Sequence, residues 1–171
     1  MLKSEDVVIL MKRSNINILN QVVSEDFEEL SKNHATSVFS SLTLDYLNQL
    51  SKILFKDSRT REHPDVGTFA FYCRQGNLLA LKKNFDNKAH IRLGRGLIFH
   101  IAPSNVPVNF AYSLIAGLLS GNTNIIKIPS KNFEQIQIII DAIDQISTEK
   151  QHKETSKRIV LIKYNNSDLS I

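Results

Sequence analysis

Residues 96–102 (GLIFHIA), 123–129 (TNIIKIP) and 158–164 (RIVLIKY) decide the fold. Each is a short, β-branched and nearly unbroken apolar run, which is the pattern of a strand buried on both faces. Between them lie two segments long enough for helices. Strands alternating with helices indicate a parallel sheet, because each crossover helix must pack back onto it, with right-handed crossovers. The spacing therefore predicts an α/β fold with a partial Rossmann-like parallel sheet (βαβαβ).

The two intervening helices differ. Residues 107–119 are apolar nearly all round, start at Pro107 and stop at Ser120-Gly121, so this helix is expected to be covered by something outside the three strands. Residues 133–146 carry an apolar stripe (Phe133, Ile136, Ile140, Ile143, Ile146) opposite Glu134, Gln137, Asp141 and Asp144. This reads as a surface helix, with Asn132 and Gln135 as a capping pair. Upstream, the first 63 residues contain neither glycine nor proline. Residues 26–32 and 40–55 have helical spacing, the second through Leu42, Tyr46, Leu50, Ile53 and Leu54. Pro64 is placed to open a further helix over 66–85, with Gly76 as its weak point. Residues 1–63 thus read as a helical N-terminal segment, and 64–171 as the segment that carries the sheet.

Composition excludes several classes. The 171 residues are 42% hydrophobic and 22% charged, a globular balance rather than a disordered one. Cys73 is the only cysteine, so no disulfide scaffold exists. The net charge of +4 arises in the second part, where residues 64–171 carry 13 basic against 8 acidic side chains. These charges are dispersed, without the basic stripe and aromatic platform of a nucleic-acid binder. They suit an anionic small molecule. The first ten residues include Glu5 and Asp6 and lack the apolar run of a leader peptide. The longest apolar stretch, 106–119, falls short of the ~20 residues that span a bilayer. A cytoplasmic location is expected.

In an open parallel sheet, ligands bind beyond the carboxyl ends of the strands. Two polar clusters fall there: residues 103–107 (PSNVP) after the first strand and 127–131 (KIPSK) after the second. Adjacent parallel strands would bring both to one rim. Asn105 reads either as an N-cap for the following helix or as an amide donor to an oxyanion. Lys127 reads either as a snorkelling surface lysine or as a cation for a ribose or phosphate. Neither choice is settled by spacing. The five histidines have no metal-ligand spacing, and no metal site is expected. His100, inside the first strand, reads as a satisfied core or edge histidine, and Cys73 as a buried, inert thiol. No phosphate-binding glycine loop occurs, which argues against an unrelated small nucleotide binder. Gly94-Arg95-Gly96 precedes a strand and reads as a turn.

Residues 94–130 (GRGLIFHIAPSNVPVNFAYSLIAGLLSGNTNIIKIPS) resemble the nucleotide-binding segment of the aldehyde dehydrogenase superfamily. The Ser-Asn-Val-Pro and Lys-x-Pro-Ser motifs are closer still to the LuxC-type acyl-CoA reductases, which make fatty aldehyde. Residues 69–81 (FAFYCRQGNLLAL) and 159–168 (IVLIKYNNSD) extend the likeness over roughly 64–168. The resemblance implies an NADPH-dependent reduction of a long-chain acyl-CoA through an acyl-cysteine thioester. It implies Asn105 in the oxyanion hole, and Ile101, Ser104, Lys127, Ser130 and Lys131 around the cofactor. Relatives have a glutamate for the ribose hydroxyls where Lys131 stands, and a cation there favours a 2′-phosphate. The family's catalytic cysteine and pyrophosphate-binding glycine turn lie well downstream of the third strand, and neither occurs in this sequence. The chain is therefore expected to be an N-terminal piece, inactive alone. The competing expectation is a non-catalytic assembly module, in which a homo-oligomer or a partner chain covers the incomplete domain.

Overall fold

The computed structural model describes residues 16–20, 30–85 and 90–164. Its sheet has the order β1–β4–β3–β2, built from β1 (Asn17–Ile18), β2 (Leu97–Ile101), β3 (Thr123–Lys127) and β4 (Ile159–Lys163). β2, β3 and β4 run parallel, as their apolar runs require. β1 pairs antiparallel with β4, Asn17 opposite Lys163 and Ile18 opposite Ile162. Nothing in the sequence had marked it, because two residues are too few for a period-2 pattern to register.

α1 (Ser41–Lys56) is capped by Ser40, whose Oγ accepts from the Thr43 amide at 3.2 Å. Its buried side is Leu44, Leu47, Leu50 and Leu54 with Tyr46, whereas Leu42 is 53% exposed. The core stripe is thus rotated from the one expected. The expected helix over 66–85 is two helices, α2 (Pro64–Tyr72) and α3 (Gln75–Phe85). The break falls at Cys73 and Arg74, and Gly76 sits inside the first turn of α3. Side-chain amides stabilise it: Asn77 Nδ2 donates to the Phe71 carbonyl at 2.7 Å, and Asn48 Oδ1 accepts from the Gln75 amide at 3.2 Å. These bonds satisfy backbone groups that helix ends leave unpaired. The helix expected over 26–32 lies mostly outside the described residues.

α4 (Asn109–Leu119) and α5 (Glu134–Ser147) connect the parallel strands. α4 is buried through Phe110, Ala111, Leu114, Ile115, Leu118 and Leu119. Its cover comes from the same chain, since α1, α2, α4 and α5 share one hydrophobic cluster over Ile126, Ile159 and Leu161. α5 is buried more widely than a single stripe, with Ile138 and Ile139 at 0% exposure. It is a core helix with one wet edge. No Asn132 cap forms: Phe133 occupies the cap position without a side-chain bond. The opposite sheet face carries Ile125, Val160 and Ile162, packed with Leu30, Ile16, Ile18, Leu97 and Tyr164.

Gly121 ends α4 at φ +80, as the Ser-Gly stop signal implies. A Cβ there would run into the Thr36 carbonyl, and a Cβ at Gly94 into that of Gly121. The three backbones are laced by Thr36 N–H to Gly121 O and Gly94 N–H to Thr36 O, both at 3.0 Å. No helix among the described residues is long and apolar enough to cross a membrane.

Candidate functional site

Parallel pairing aligns Ile101 with Lys127 and Lys127 with Ile162, so β2, β3 and β4 end on one rim. The Ala102 amide donates to Lys127 O at 3.1 Å and the Ile128 amide to Ile162 O at 3.0 Å, which carries the pairing one residue past the ends of β2 and β3. Beyond β2 the chain turns twice before α4 begins. Ser104 and Asn105 lie in that turn, both exposed. The helix starts later than Pro107 suggests, and Val108 occupies its cap position without a side-chain bond. Asn105 is therefore not the N-cap. Its amide is solvent-facing and available to a ligand.

Beyond β3, Pro129 is buried, while Ser130 and Lys131 are exposed. Lys127 is half-buried, with its Nζ 4.2 Å from the centre of the Tyr164 ring. Tyr164 packs with Ile125, Val160 and Ile162, so Lys127 turns to the sheet face away from α4 and α5. A cation over an aromatic face is attracted by the ring quadrupole, and that contact sets the lysine's direction. Ile101 is on the same face by alternation, and it is 70% exposed.

On the helical face, a cleft of about 350 Å³ opens between the ends of β3 and β4 and the start of α5. Lys131, Asn132 and Lys163 stand at it, over a wall that includes Ile128, Phe133 and Ile136. Lys163 Nζ donates to Asn132 Oδ1 at 2.7 Å, and Lys131 Nζ sits 5.0 Å from the centre of the Phe133 ring. The rim thus brings Lys131 together with a lysine that the sequence reading passed over. A signal was present: β3 and β4 both end in lysine after apolar residues (TNIIK, IVLIK). Asn105, Ser104 and Lys127 are not part of this cleft's lining.

His100 is an edge histidine with a partner, its Nε2 3.0 Å from Asn124 Oδ1. Asn124 in turn donates through Nδ2 to the Asn122 carbonyl at 2.9 Å. Cys73 is fully buried, and burial pushes its thiol pKa far up. A thiol that stays protonated is no nucleophile. Among the described residues no group of three or more His, Cys, Asp or Glu side chains could hold a metal ion.

A family model described as acyl-CoA reductase (LuxC) matches residues 78–170, more than half of the chain. The chain belongs to this acyl-CoA reductase family. The match takes in α3 from Leu78 onward, the three parallel strands, both crossover helices and the whole carboxyl rim, so the positions set side by side above are LuxC positions. No curated protein and no solved structure matches the chain.

Proposed function

We propose that this chain supplies the cofactor and oxyanion side of an NADPH-dependent fatty acyl reductase, in the manner of aldehyde dehydrogenases. The observation that supports the reading best is the parallel pairing of β2 with β3, Ile101 opposite Lys127, which sets the Asn105 turn beside the Lys127–Lys131 loop. In this reading a cysteine thiolate attacks the acyl-CoA carbonyl, coenzyme A leaves as its thiolate, and an acyl-cysteine thioester remains. NADPH, when bound, would supply the hydride that takes the thioester to aldehyde and frees the cysteine thiolate. Asn105 donates its amide N–H to the carbonyl oxygen as negative charge develops there. Removing one such donor costs about 10²–10³ in rate. Lys127 holds the adenosine ribose. Ser104 and Ile101 line the approach, and Ser130 with Lys131 receives the 2′-phosphate. The donor set suits that cofactor, because the loop after β3 offers a hydroxyl and two ammonium groups with no carboxylate. The nucleophile comes from outside these 171 residues, since Cys73 is the only thiol and is buried.

Titration with NADPH and NADH tests this by energy transfer from the chain's tyrosines to the nicotinamide. NADPH should bind more tightly than NADH, and Lys127→Met should weaken both. Absence of transfer to either nucleotide overturns the reading.

One observation favours the assembly module instead. Among the described residues β2 is an edge strand of the sheet, and Phe99, Ile101 and Val106 near it are 40%, 70% and 46% exposed. Such edges recruit further chains. Light scattering across a concentration series separates the readings, because an assembly module forms a defined oligomer that Ile101→Lys dissolves.

A further inference from the structure

The outer faces of α1, α2 and α3 carry a surface that neither the core nor the carboxyl rim uses. Asn48 Oδ1 accepts from the Gln75 amide at 3.2 Å, which lays the start of α3 beside the middle of α1. Along α1 from that bond, Lys52, Phe55 and Lys56 follow at helical spacing, and all three are exposed. Along α3, Leu79 and Lys83 follow Gln75 at helical spacing and are exposed as well. Arg74 joins the two rows. Its guanidinium carbon lies 5.7 Å from the centre of the Phe55 ring and 5.4 Å from that of Phe71, at the end of α2. Phe55, Phe71 and Leu79 are each about half exposed. Apolar side chains grouped in this way on a surface mark an interaction site.

The charge around them has one sign. Residues 46–56 and 66–85 contain no aspartate or glutamate, against Lys52, Lys56, Arg74, Lys82 and Lys83. Among the described residues none of these cations has a carboxylate partner. The two phenyl rings hold Arg74 instead, a cation–π contact in which all three groups stay exposed. Protein interfaces are depleted of lysine, whereas surfaces that lie on membranes combine Lys and Arg with Phe and Leu. The composition here is the second kind.

We propose that this face of α1, α2 and α3 rests on an anionic lipid bilayer, with Phe55, Phe71 and Leu79 in the interfacial layer and the surrounding cations on the headgroup phosphates. Long Lys and Arg stems let each charge reach a headgroup while the carbons lie against apolar surface. Each cation close to such a surface adds about fivefold to the affinity, and its reach is about 10 Å at 0.1 M salt. The contact is peripheral, since no helix among the described residues is long and apolar enough to cross a membrane. It does not rest on the nucleotide reading, because vesicle binding and nicotinamide transfer fail independently.

Sedimentation of the chain with vesicles tests the proposal, using phosphatidylcholine alone and phosphatidylcholine with phosphatidylglycerol in equal parts. The chain should bind the mixed vesicles about tenfold or more tightly than the neutral ones. That advantage should collapse at about 1 M salt. Lys82→Gln with Lys83→Gln should weaken binding to mixed vesicles about tenfold or more. Phe55→Ser with Phe71→Ser should weaken it as well, with circular dichroism unchanged in both variants. The chain has no tryptophan, so Phe71→Trp supplies a single reporter. Its emission should shift to the blue on mixed vesicles and be quenched by brominated lipid, while that of Ile101→Trp, at the carboxyl rim, should not respond. Binding to neither kind of vesicle, or equal binding to both, overturns the proposal. So does binding that survives both pairs of substitutions, or a response from Ile101→Trp in place of Phe71→Trp. Light scattering that finds a dimer which Phe55→Ser with Phe71→Ser dissolves also overturns it, because a second copy of the chain then covers this face.

Discussion

Gly117 sets how closely α4 lies on β3. A Cβ there would collide with the Asn124 side-chain amide and come within 3.1 Å of His100 Nε2. Asn124 cannot swing aside cheaply, because it bonds both His100 and the Asn122 carbonyl, and a buried amide stripped of partners costs about 1–3 kcal/mol. Gly117→Ala gains roughly 1 kcal/mol of helix propensity, but the overlap outweighs it. We expect a net loss of about 1–3 kcal/mol, read as a lower urea midpoint with an unchanged slope. A second residue-scale prediction concerns Asp57, which caps the 3-10 turn Ser58–Arg61 and meets Arg59 at 2.6 Å. Arg59 also reaches Asp141 of α5 at 2.9 Å. Hydrogen bonding from the Arg59 side chain holds the Asp57 carboxyl below its ordinary value near 3.8. The folded-state pKa is depressed, so the stabilisation is present above the unfolded value and is lost as pH falls through the folded one. Asp57→Asn should therefore lower the unfolding midpoint at neutral pH. In acid the gap between variant and parent should narrow, measured by thermal denaturation across a pH series. A gap that stays constant into acid contradicts this.

Among the elements, β1 is held by one side chain more than by its two-residue ladder. Asn20 Nδ2 donates to the Ile159 carbonyl at 2.8 Å, and its Oδ1 accepts from the Leu161 amide at 2.8 Å. A buried amide thus does for β4 what a third strand residue would. Asn20→Ala leaves a buried donor and acceptor unmatched, which we expect to cost about 1–3 kcal/mol. Hydrogen exchange should speed up at Leu161 while the amides of β3 stay protected. An unaltered Leu161 rate would show that β1 holds without this side chain. β1 also marks the limit of what periodicity reveals. The three parallel strands were legible because five-residue apolar runs admit little else, and the Ser-Gly stop at 120–121 because only glycine takes φ +80 easily. α1 was located correctly but turned wrongly on its axis, because Leu42 continues the apolar spacing while its position faces water. The break between α2 and α3 was misplaced for a related reason. Gly76 is the weakest local helix former, yet the amides of Asn48 and Asn77, one of them on a neighbouring helix, fix the break at Cys73 and Arg74.

For the molecule as a whole, the carboxyl rim was legible from spacing, since parallel strands must end together, whereas the direction of each side chain was not. Lys127 turns to one face of the sheet under Tyr164, and Lys131 and Lys163 gather on the other. That division depends on pairing across strands, which one sequence does not display. The rim nonetheless concentrates positive charge: Lys127 and Lys163 end neighbouring strands, and Lys131 lies in the loop after β3. Exposed charges interact with a ligand over about 10 Å at 0.1 M salt and about 3 Å at 1 M. A ligand phosphate that binds among these lysines therefore loses affinity as salt rises, and a ligand without that phosphate loses less. We expect NADPH affinity to fall several-fold over this range and NADH affinity to fall distinctly less, so that the ratio between them shrinks toward one. Lys131→Gln with Lys163→Gln should reproduce the high-salt ratio at low salt, because both treatments act on the same charges. If the ratio holds constant across salt, discrimination resides in shape or in neutral hydrogen bonds, and the rim's charge takes no part in choosing the nucleotide.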